Sequence, residues 1–382
     1  MLKTTPKQAN EMISWIKSQF REIDIQYFFD VWDKYWETVY DTNVVIFDMG
    51  IPDIFVRTLW EAPYYLFGAI YESDKKTQEI FPQISDPIVK ATFSMLSHEI
   101  DSKEEKYVIA PVHNISARKA LAYIDELGYS TISLQQDGFS YKNNKQFIDE
   151  QERFLLQLQT SAKKIITIKN LRPYIKQSTQ ASKIFKRLND SDLPTLISTF
   201  IRQTYYMVSD IKKWNHEANL FLERIKNNIP SAKKVGLYGS PIYYPNSKIP
   251  IILHELGISH YKNLCSVPTP CDYSLIQENN WPQEKNFWKA LHGIHYEWIQ
   301  NTLGHLSNPS EQEIISSKGV VFHLLKGQLL YAYQAEQIEK ICIENGVPFV
   351  CVETDYVGAD AEQIRIRLEA FSELIGQSVP TE

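Results

Sequence analysis

One unit recurs along this chain: a short β-branched apolar run, a turn containing Gly or Pro, and a segment with helical apolar spacing. Its clearest copy lies near the C-terminus, where the apolar run Gly319–Leu325 precedes a helical pattern that ends before Gly346, and Phe349–Val352 forms the next run. Parallel strands need crossover helices of this kind, whereas antiparallel strands can be joined by tight turns. The unit therefore predicts an α/β fold with parallel sheets.

The unit occurs in two separate blocks. In the first block we predict strands at Asn43–Phe47, Tyr107–Pro111 and Thr131–Leu134, and the second block begins at Lys234. The first forty residues and the stretch between the blocks show helical spacing alone. We therefore predict two Rossmann-like parallel-sheet domains with a helical N-terminal arm and a helical connector. The bounds are 1–40 for the arm, 41–146 for the first α/β domain, 147–230 for the connector and 231–382 for the second α/β domain.

Composition argues against several partners and compartments. The 40 Lys and Arg residues against 46 Asp and Glu give a formal charge of −6, without a basic run long enough to follow a phosphate backbone, so we do not expect a nucleic-acid partner. No apolar stretch reaches the roughly 18 residues of a membrane span. The four cysteines are too few for the disulfide framework of a secreted protein of this length, which favours a reducing cytoplasm.

Ligands of open α/β sheets bind beyond the carboxyl ends of the strands, so the loops after the predicted strands are the first candidates for a site. In one of these loops Ser240 lies where backbone amides at a helix start can hold a phosphate, although the full dinucleotide and P-loop fingerprints are absent. His113 is a candidate base or ligand, but a lone loop histidine is more often simply hydrogen-bonded. The five loops are 48–52, 111–114, 238–241, 326–329 and 353–355.

Metal-ligand spacing is weak among the cysteines and histidines. Cys265 and Cys271, separated by five residues and flanked by prolines, match no common zinc motif and are better interpreted as buried thiols. A predicted helix carries His292 and His295, which would need a carboxylate companion such as Glu297 to bind a metal. We therefore treat the two cysteines as weak metal candidates and do not favour metal binding at the histidines.

The C-terminal part of the chain resembles a known family. Its motif residues resemble the closing signature of the benzoyl-CoA reductase and 2-hydroxyglutaryl-CoA dehydratase superfamily. Upstream, Gly319–Tyr331 resembles the preceding strand and loop, particularly in the benzoyl-CoA reductase branch. The motif residues are Gly346–Tyr356, Asp360, Glu362, Gln363, Arg365, Arg367 and Glu369–Phe371.

The resemblance implies a subunit of two Rossmann-like domains around a central cleft, paired with a similar second subunit. It also implies a [4Fe-4S] cluster held by loop cysteines and an ATP-dependent activator protein that supplies one electron. Enzymes of this family use that electron to dehydrate a 2-hydroxyacyl-CoA through a ketyl radical or to reduce an aromatic ring.

The sequence departs from the family at the cluster positions. His113 and Asn114 stand where the family commonly has a cysteine, Gln328 stands where dehydratase subunits have another, and residues 81–87 contain none. Histidine and glutamine are poor replacements for thiolates in iron–sulfur ligation. The resemblance then implies a chain that acts on an acyl-CoA thioester while its partner holds most or all of the cluster ligands.

Within this interpretation we assign candidate roles to five residues of the cleft loops. Gln328 and His113 are the candidate catalytic residues, with Gln328 a hydrogen-bond donor to a thioester carbonyl or to a neighbouring cluster. Ser240, Lys326 and Asn114 are the candidate cofactor contacts.

Two alternatives stay open. The chain can be a cluster-free, non-redox relative that serves as a scaffold or binds a small molecule, or Cys265 and Cys271 can hold a cluster in an unusual place. The substrate cannot be identified from periodicity.

Overall fold

The computed structural model describes residues 6–39, 41–60, 63–68, 75–81, 86–97, 106–112, 115–135, 144–225, 234–277, 284–302, 309–356 and 358–377. Up to the end of the first sheet, the elements in chain order are α1 (Lys7–Gln19), α2 (Gln26–Thr38), β1 (Val44–Ile46), α3 (Asp53–Leu59), β2 (Tyr64–Tyr65), α4 (Lys75–Ile80), α5 (Pro87–Ser97), β3 (Tyr107–Val112), α6 (Ile115–Glu126) and β4 (Ser130–Gln135).

Four helices follow before the second sheet begins. They are α7 (Asn144–Ala162), α8 (Ile168–Asn189), α9 (Thr195–Thr204) and α10 (Ile211–Arg224), with a 3₁₀ turn at Tyr205–Met207. The remaining elements are β5 (Val235–Gly239), α11 (Lys248–Glu255), β6 (Tyr261–Asn263), α12 (Ser274–Gln277), α13 (Glu284–Thr302), α14 (Glu311–Ile315), β7 (Val320–Leu325), α15 (Leu329–Glu344), β8 (Phe349–Thr354), a 3₁₀ turn at Gly358–Asp360, and α16 (Ala361–Gln377). None of the described helices is long and apolar enough to cross a membrane.

The strands form two four-stranded sheets, and every pair of neighbouring strands is parallel. The strand order is β2-β1-β3-β4 in the first sheet and β6-β5-β7-β8 in the second. In both sheets the chain first moves to one side of its starting strand and then crosses to the other side. The prediction of two Rossmann-like parallel-sheet domains is confirmed.

Strand β7 shows why these runs form central strands. Its sequence Val-Val-Phe-His-Leu-Leu is apolar apart from His323 and is largely buried, as expected for a parallel strand covered by helices on both faces. Strand β2 was not predicted as a separate element, because two residues are too short to show a period.

The helical N-terminal arm is confirmed and packs through aromatic side chains. Trp32, Tyr35 and Trp36 of α2 are fully buried, and α2 packs against α9 and the following 3₁₀ turn. The stretch predicted as a connector is helical, with α10 packed on α8. Helix α7 packs against β4 of the first sheet and against α13 from the second half, so it joins the two blocks.

Long-range hydrogen bonds join the two blocks near the carboxyl ends of their strands. Gln328 Nε2 donates to Asp86 Oδ2 at 3.0 Å, and Asn246 Nδ2 donates to the Gly68 carbonyl at 3.3 Å. Gln8 of the N-terminal arm donates to Asn246 Oδ1 at 3.1 Å. The carboxyl ends of the two sheets therefore face each other across a seam.

Candidate functional site

The strand order of each sheet places its ligand-binding position. The order reverses between β1 and β3 in the first sheet and between β5 and β7 in the second. Open α/β sheets bind ligands in the crevice outside such a reversal point, at the carboxyl ends of the strands. Because both reversal points face the seam between the blocks, we take that seam as the candidate site and call it the cleft. Its central side chains are Asp48, Asp86, Tyr243, Gln328, Tyr331 and Tyr356.

Asp86 connects the two walls of the cleft. One carboxylate oxygen accepts the Ile88 amide at 2.9 Å and so caps the N-terminus of α5, while the other accepts Gln328 Nε2. Asp86 is only 6% exposed. The Asp-Pro pair at positions 86 and 87 is a helix-start signal in the sequence, but nothing local indicates that the carboxylate reaches a residue of the second domain.

Buried phenols surround the two carboxylates of the cleft. Burial raises the pKa of Tyr243 well above its ordinary value, and the nearby charge of Asp48 raises it further. Burial likewise raises the pKa of Tyr356 well above its ordinary value, and Asp86 and Asp48 add to the effect. Burial also raises the pKa of Tyr331, a half-buried residue of α15. These phenols therefore stay protonated at neutral pH and can donate hydrogen bonds.

Ser240 is bound to the end of strand β7 by all of its polar groups. Its amide donates to the His323 carbonyl at 2.7 Å, its carbonyl accepts from His323 Nδ1 at 2.7 Å, and its Oγ accepts the Leu325 amide at 2.9 Å. Gly239 is required just before it, because its φ is 106° and a Cβ there would lie 2.1 Å from the His323 carbonyl oxygen. The Ser240 hydroxyl keeps its hydrogen and one lone pair for a cofactor contact.

His323 is a neutral imidazole in the structure. Burial lowers its pKa to about 4, although the hydrogen bond to the Ser240 carbonyl acts in the opposite direction. Since a carbonyl oxygen can only accept, Nδ1 carries the proton and Nε2 keeps its lone pair. The end of β7 is thus held by an uncharged histidine.

Lys248, the first residue of α11, joins that helix to the end of β8. Its ammonium donates to Thr354 Oγ1 at 2.8 Å, to the Asp355 carbonyl at 2.8 Å and to Asp360 Oδ1 at 2.6 Å. Burial raises the pKa of Asp360, but the hydrogen bonds from Lys248 and Thr354 outweigh this and leave it below its ordinary value. This network closes one wall of a cavity.

The cavity lies at the carboxyl ends of β5, β7 and β8 and has a volume of about 20 Å³. That volume is enough for a single water molecule. Its polar lining comes from the second domain, with Tyr356 facing the cleft. The lining residues are Pro241, Ile242, Asn246, Lys248, Ile249, His323, Leu325, Thr354, Asp355 and Tyr356.

Lys326 and Gln328 follow β7, as predicted, but they have different surroundings. Lys326 is exposed at the edge of the cleft, with its ammonium 3.3 Å from Asp355 Oδ2. Gln328 is half-buried and bonds to Asp86. His113 and Asn114 lie outside the described residues, as does the loop expected to follow β3.

Cys265 and Cys271 are core thiols. Both are free and buried in the main hydrophobic core, and burial raises the pKa of each well above its ordinary value. Within the described ranges, no three His, Cys, Asp or Glu side chains lie close enough together to hold a metal ion.

The histidines of α13 are core residues. His295 Nε2 lies 2.8 Å from the Tyr273 hydroxyl, its Nδ1 lies 3.3 Å from Gln151 Oε1, and burial lowers its pKa well below the ordinary value. His292 is also buried and stacks on Trp288.

Comparison with known proteins identifies a family over most of the chain. A family model described as 2-hydroxyglutaryl-CoA dehydratase, D-component, matches residues 51–375. The matched range begins after β1 and includes the rest of both sheets and the connector. Among curated proteins, no relative matches the chain.

Proposed function

Because the chain belongs to the family of 2-hydroxyglutaryl-CoA dehydratase D-components, we propose that it is a subunit of a radical 2-hydroxyacyl-CoA dehydratase or benzoyl-CoA reductase-like enzyme. In this proposal the chain binds an acyl-CoA thioester in the cleft. A homologous partner subunit supplies most or all ligands of a [4Fe-4S] cluster, and an ATP-dependent activator protein delivers electrons to that partner. The observation that carries the proposal is the cleft itself, where both strand-order reversals meet around Asp86 and Gln328.

The chain's own residues would bind and orient the thioester. The protonated phenols of Tyr243 and Tyr356 are suited to a neutral carbonyl, because they donate hydrogen bonds without adding charge. Gln328 uses one of its two N–H bonds for Asp86 and would contact the acyl group from the second domain. We assign His113 the second catalytic position, on the loop after β3.

The cofactor contacts proposed from the sequence would hold the CoA portion at the edge of the cleft. Lys326 is the most exposed of the described candidates and offers an ammonium for a phosphate, at the cost of its contact with Asp355. Ser240 would contribute its hydroxyl hydrogen, and Asn114 is assigned to the same contacts from its place in the sequence after β3.

Exposed apolar side chains beside the cleft support a partner protein. Ile115 and Leu329, the first residues of α6 and α15, are 86% and 82% exposed. They flank Asp86, because Ser116 Oγ accepts the Asp86 amide at 3.4 Å and Gln328 donates to its carboxylate. Tyr333, one turn after Leu329, is also exposed. We propose that the partner subunit covers these residues, and that the complex is cytoplasmic.

The second candidate function is a cluster-free, non-redox relative that acts as a scaffold or binds a small molecule. The specific observation that favours it is that no three His, Cys, Asp or Glu side chains of the described residues, Cys265 and Cys271 included, lie close enough together to hold a metal ion. In that case the cleft would bind its ligand without an electron-transferring partner.

Iron and acid-labile sulfide separate the two functions. The chain is purified without oxygen, alone and after co-expression with its proposed partner. We expect a colourless, iron-free chain alone and an iron-containing complex. Iron in neither preparation would favour the scaffold or binding role.

Iron in the chain alone would contradict both functions. Its loss in a Cys265→Ser/Cys271→Ser variant, but not in a Cys342→Ser/Cys351→Ser control, would then place the cluster at the first pair. Unchanged activity of the assembled complex after Gln328→Ala would remove Gln328 from the proposed catalytic residues.

A further inference from the structure

Two polar atoms at the cleft are buried without a hydrogen-bond partner among the described residues. They are Gln328 Oε1 and the Tyr356 hydroxyl oxygen. Buried polar atoms in folded proteins nearly always have a partner, which can be a protein group, an ordered water or a ligand. Both residues belong to the wall of one cleft, so a ligand bound in the cleft can satisfy each of these atoms.

Asp86 fixes the orientation of the Gln328 side-chain amide, and so determines whether its nitrogen or its oxygen faces the cleft. A carboxylate can only accept hydrogen bonds, so the amide nitrogen must face Asp86, at 3.0 Å, and the carbonyl oxygen must face away from it. The opposite orientation would place two oxygen atoms against each other. The unsatisfied group of Gln328 is therefore an acceptor, and its ligand must bring a donor.

The backbone position of Gln328 supports a role outside its own helix. Gln328 occupies the N-cap position of α15, yet its side chain makes no capping hydrogen bond. The side chain instead extends to a residue 242 positions earlier in the chain. A side chain that served only to start α15 would bond to the amides of the first turn.

Tyr356 is placed to contact the same ligand. It is 7% exposed and lines the cavity of about 20 Å³, together with Asn246 and Lys248. The charge of Asp86, which binds Gln328, also acts on Tyr356. Gln328 and Tyr356 are therefore both near the carboxylate of Asp86.

We propose that Gln328 is a specificity-determining residue whose Oε1 accepts a hydrogen bond from a hydroxyl group on the acyl portion of the bound thioester, and that Asp86 is its positioning residue. The Tyr356 hydroxyl donates to an oxygen of the same ligand. This inference rests on the proposed function and extends it to the choice of substrate. An acyl or aromatic thioester without a hydroxyl group would leave Gln328 Oε1 without a hydrogen-bond donor. A site built to bond a hydroxyl rejects the analogue that lacks it.

A matched pair of ligands tests this inference. We would measure binding of 2-hydroxybutanoyl-CoA and butanoyl-CoA to the full chain, and to its complex with the partner subunit, by calorimetry. The two thioesters differ only in the hydroxyl group. We expect the hydroxyacyl thioester to bind about tenfold tighter or more, the range for satisfying a buried acceptor.

Three variants assign the selectivity to residues. Gln328→Met keeps the length of the side chain without the acceptor and should reduce the affinity ratio to about 1. Asp86→Asn keeps a good helix cap but also offers a donor, so Gln328 can reverse its amide and the ratio should fall while folding is retained. Tyr356→Phe removes only the second unpartnered atom and should weaken binding of the hydroxyacyl thioester.

The outcomes distinguish the inference about Gln328 from the proposed function. Equal binding of both thioesters to the unmodified protein would overturn the inference and leave the proposed function standing, because Oε1 would then be satisfied by water. A ratio that survives in both Gln328→Met and Asp86→Asn would also overturn it. Binding of neither thioester, to the chain or to the complex, would overturn the proposed function itself.

Discussion

Helices α3 and α11 follow the first strand of their respective sheets, yet their charged residues make different connections. In α3, Arg57 Nε donates to Asp53 at 2.9 Å and Arg57 Nη1 donates to the Val208 carbonyl at 2.9 Å, which ties the first domain to the connector. In α11, Lys248 bonds within the second domain, to the end of β8 and to Asp360. The two helices that follow the first strand of each sheet thus have different roles. The charged residues of α3 attach the first domain to the connector, whereas Lys248 of α11 forms part of the site wall.

The two ion pairs also differ in burial and in their relation to the helix dipole. The Arg57 side chain is 2% exposed, whereas those of Lys248 and Asp360 are 15% and 20% exposed. Asp53 lies at the positive end of α3, where an anion is favoured, but Lys248 lies at the positive end of α11, where a cation is disfavoured. Lys248 is kept there by three acceptors, which indicates that its position serves the site wall rather than the helix.

The largest expected effect is the loss of the buried pair in α3. Arg57→Ala leaves the Asp53 carboxylate buried without its cation and should lower the free energy of unfolding by about 3–5 kcal/mol, measured by chemical denaturation. Arg365→Ala is the control, because its pair with Glu255 is about one third exposed and should contribute about 0–1 kcal/mol. Similar losses of unfolding free energy in the two variants would show that burial does not make the Arg57–Asp53 pair more important than the exposed pair.

Acid should weaken the second domain through His323. The pKa of His323 is about 4 in the folded protein and about 6.5 when unfolded, so below pH 6.5 the unfolded state binds more protons. Its contribution to stability is complete above pH 6.5 and is lost as the pH falls towards 4, in total about 3 kcal/mol.

The matched variant for this prediction is His323→Asn, which keeps a donor for the Ser240 carbonyl and does not titrate. Its unfolding free energy should depend less on pH between 6.5 and 4 than that of the unmodified chain. An identical pH dependence in both proteins would contradict the assignment. Hydrogen exchange of the β7 amides should show the same difference, whereas the amides of β3 should not.

An intermediate effect is expected at Lys248. Lys248→Met removes the ammonium but keeps most of the aliphatic volume, and should lower the free energy of unfolding by about 2 kcal/mol. The loss is smaller than at Arg57 because the Lys248–Asp360 pair is partly solvated. It should also raise the pKa of Asp360, since the hydrogen bond from Lys248 helps to lower that pKa. NMR titration of the Asp360 carboxyl in both proteins would check this, and an unchanged pKa would refute it.

The smallest effect is expected at Ser240. Ser240→Ala leaves the Leu325 amide without its acceptor and should lower the unfolding free energy by about 1 kcal/mol. Ser240→Thr keeps the hydroxyl but must fit a methyl group into a fully buried position, so it separates loss of the bond from steric strain. A loss as large as that of Arg57→Ala would show that the end of β7 matters more to stability than the attachment of α3.

The elements with clear periodicity were predictable from the sequence. Strand β7 was expected at Gly319–Leu325 and lies at Val320–Leu325, and Phe349–Val352 was expected as the next strand and lies within β8. Such segments are determined by their own apolar spacing and turn residues, which are local properties. The loops after β5 and β7 lie at the candidate cleft, because parallel topology brings the carboxyl ends of strands to one edge.

The partners of individual side chains were not predictable in the same way. Asp86 and Gln328 are 242 residues apart, and their bond depends on how the two domains pack. Tyr243 and Tyr356 show no local signal that separates them from the other tyrosines of the chain. Cys265 and Cys271 are an exception, because the sequence already indicated buried thiols and the structure buries both.

The sequence by itself determined the α/β class, the two blocks, the helical arm and the loops in which a site must lie. It could do so because strand and helix periods, and the turns between them, are encoded over a few neighbouring residues. Only the tertiary structure decided which side chains meet across the cleft, which acids and phenols lose water, and which atom of Gln328 lacks a partner. Those properties depend on contacts between residues far apart in the chain, because desolvation and hydrogen-bond geometry arise only when the two domains pack.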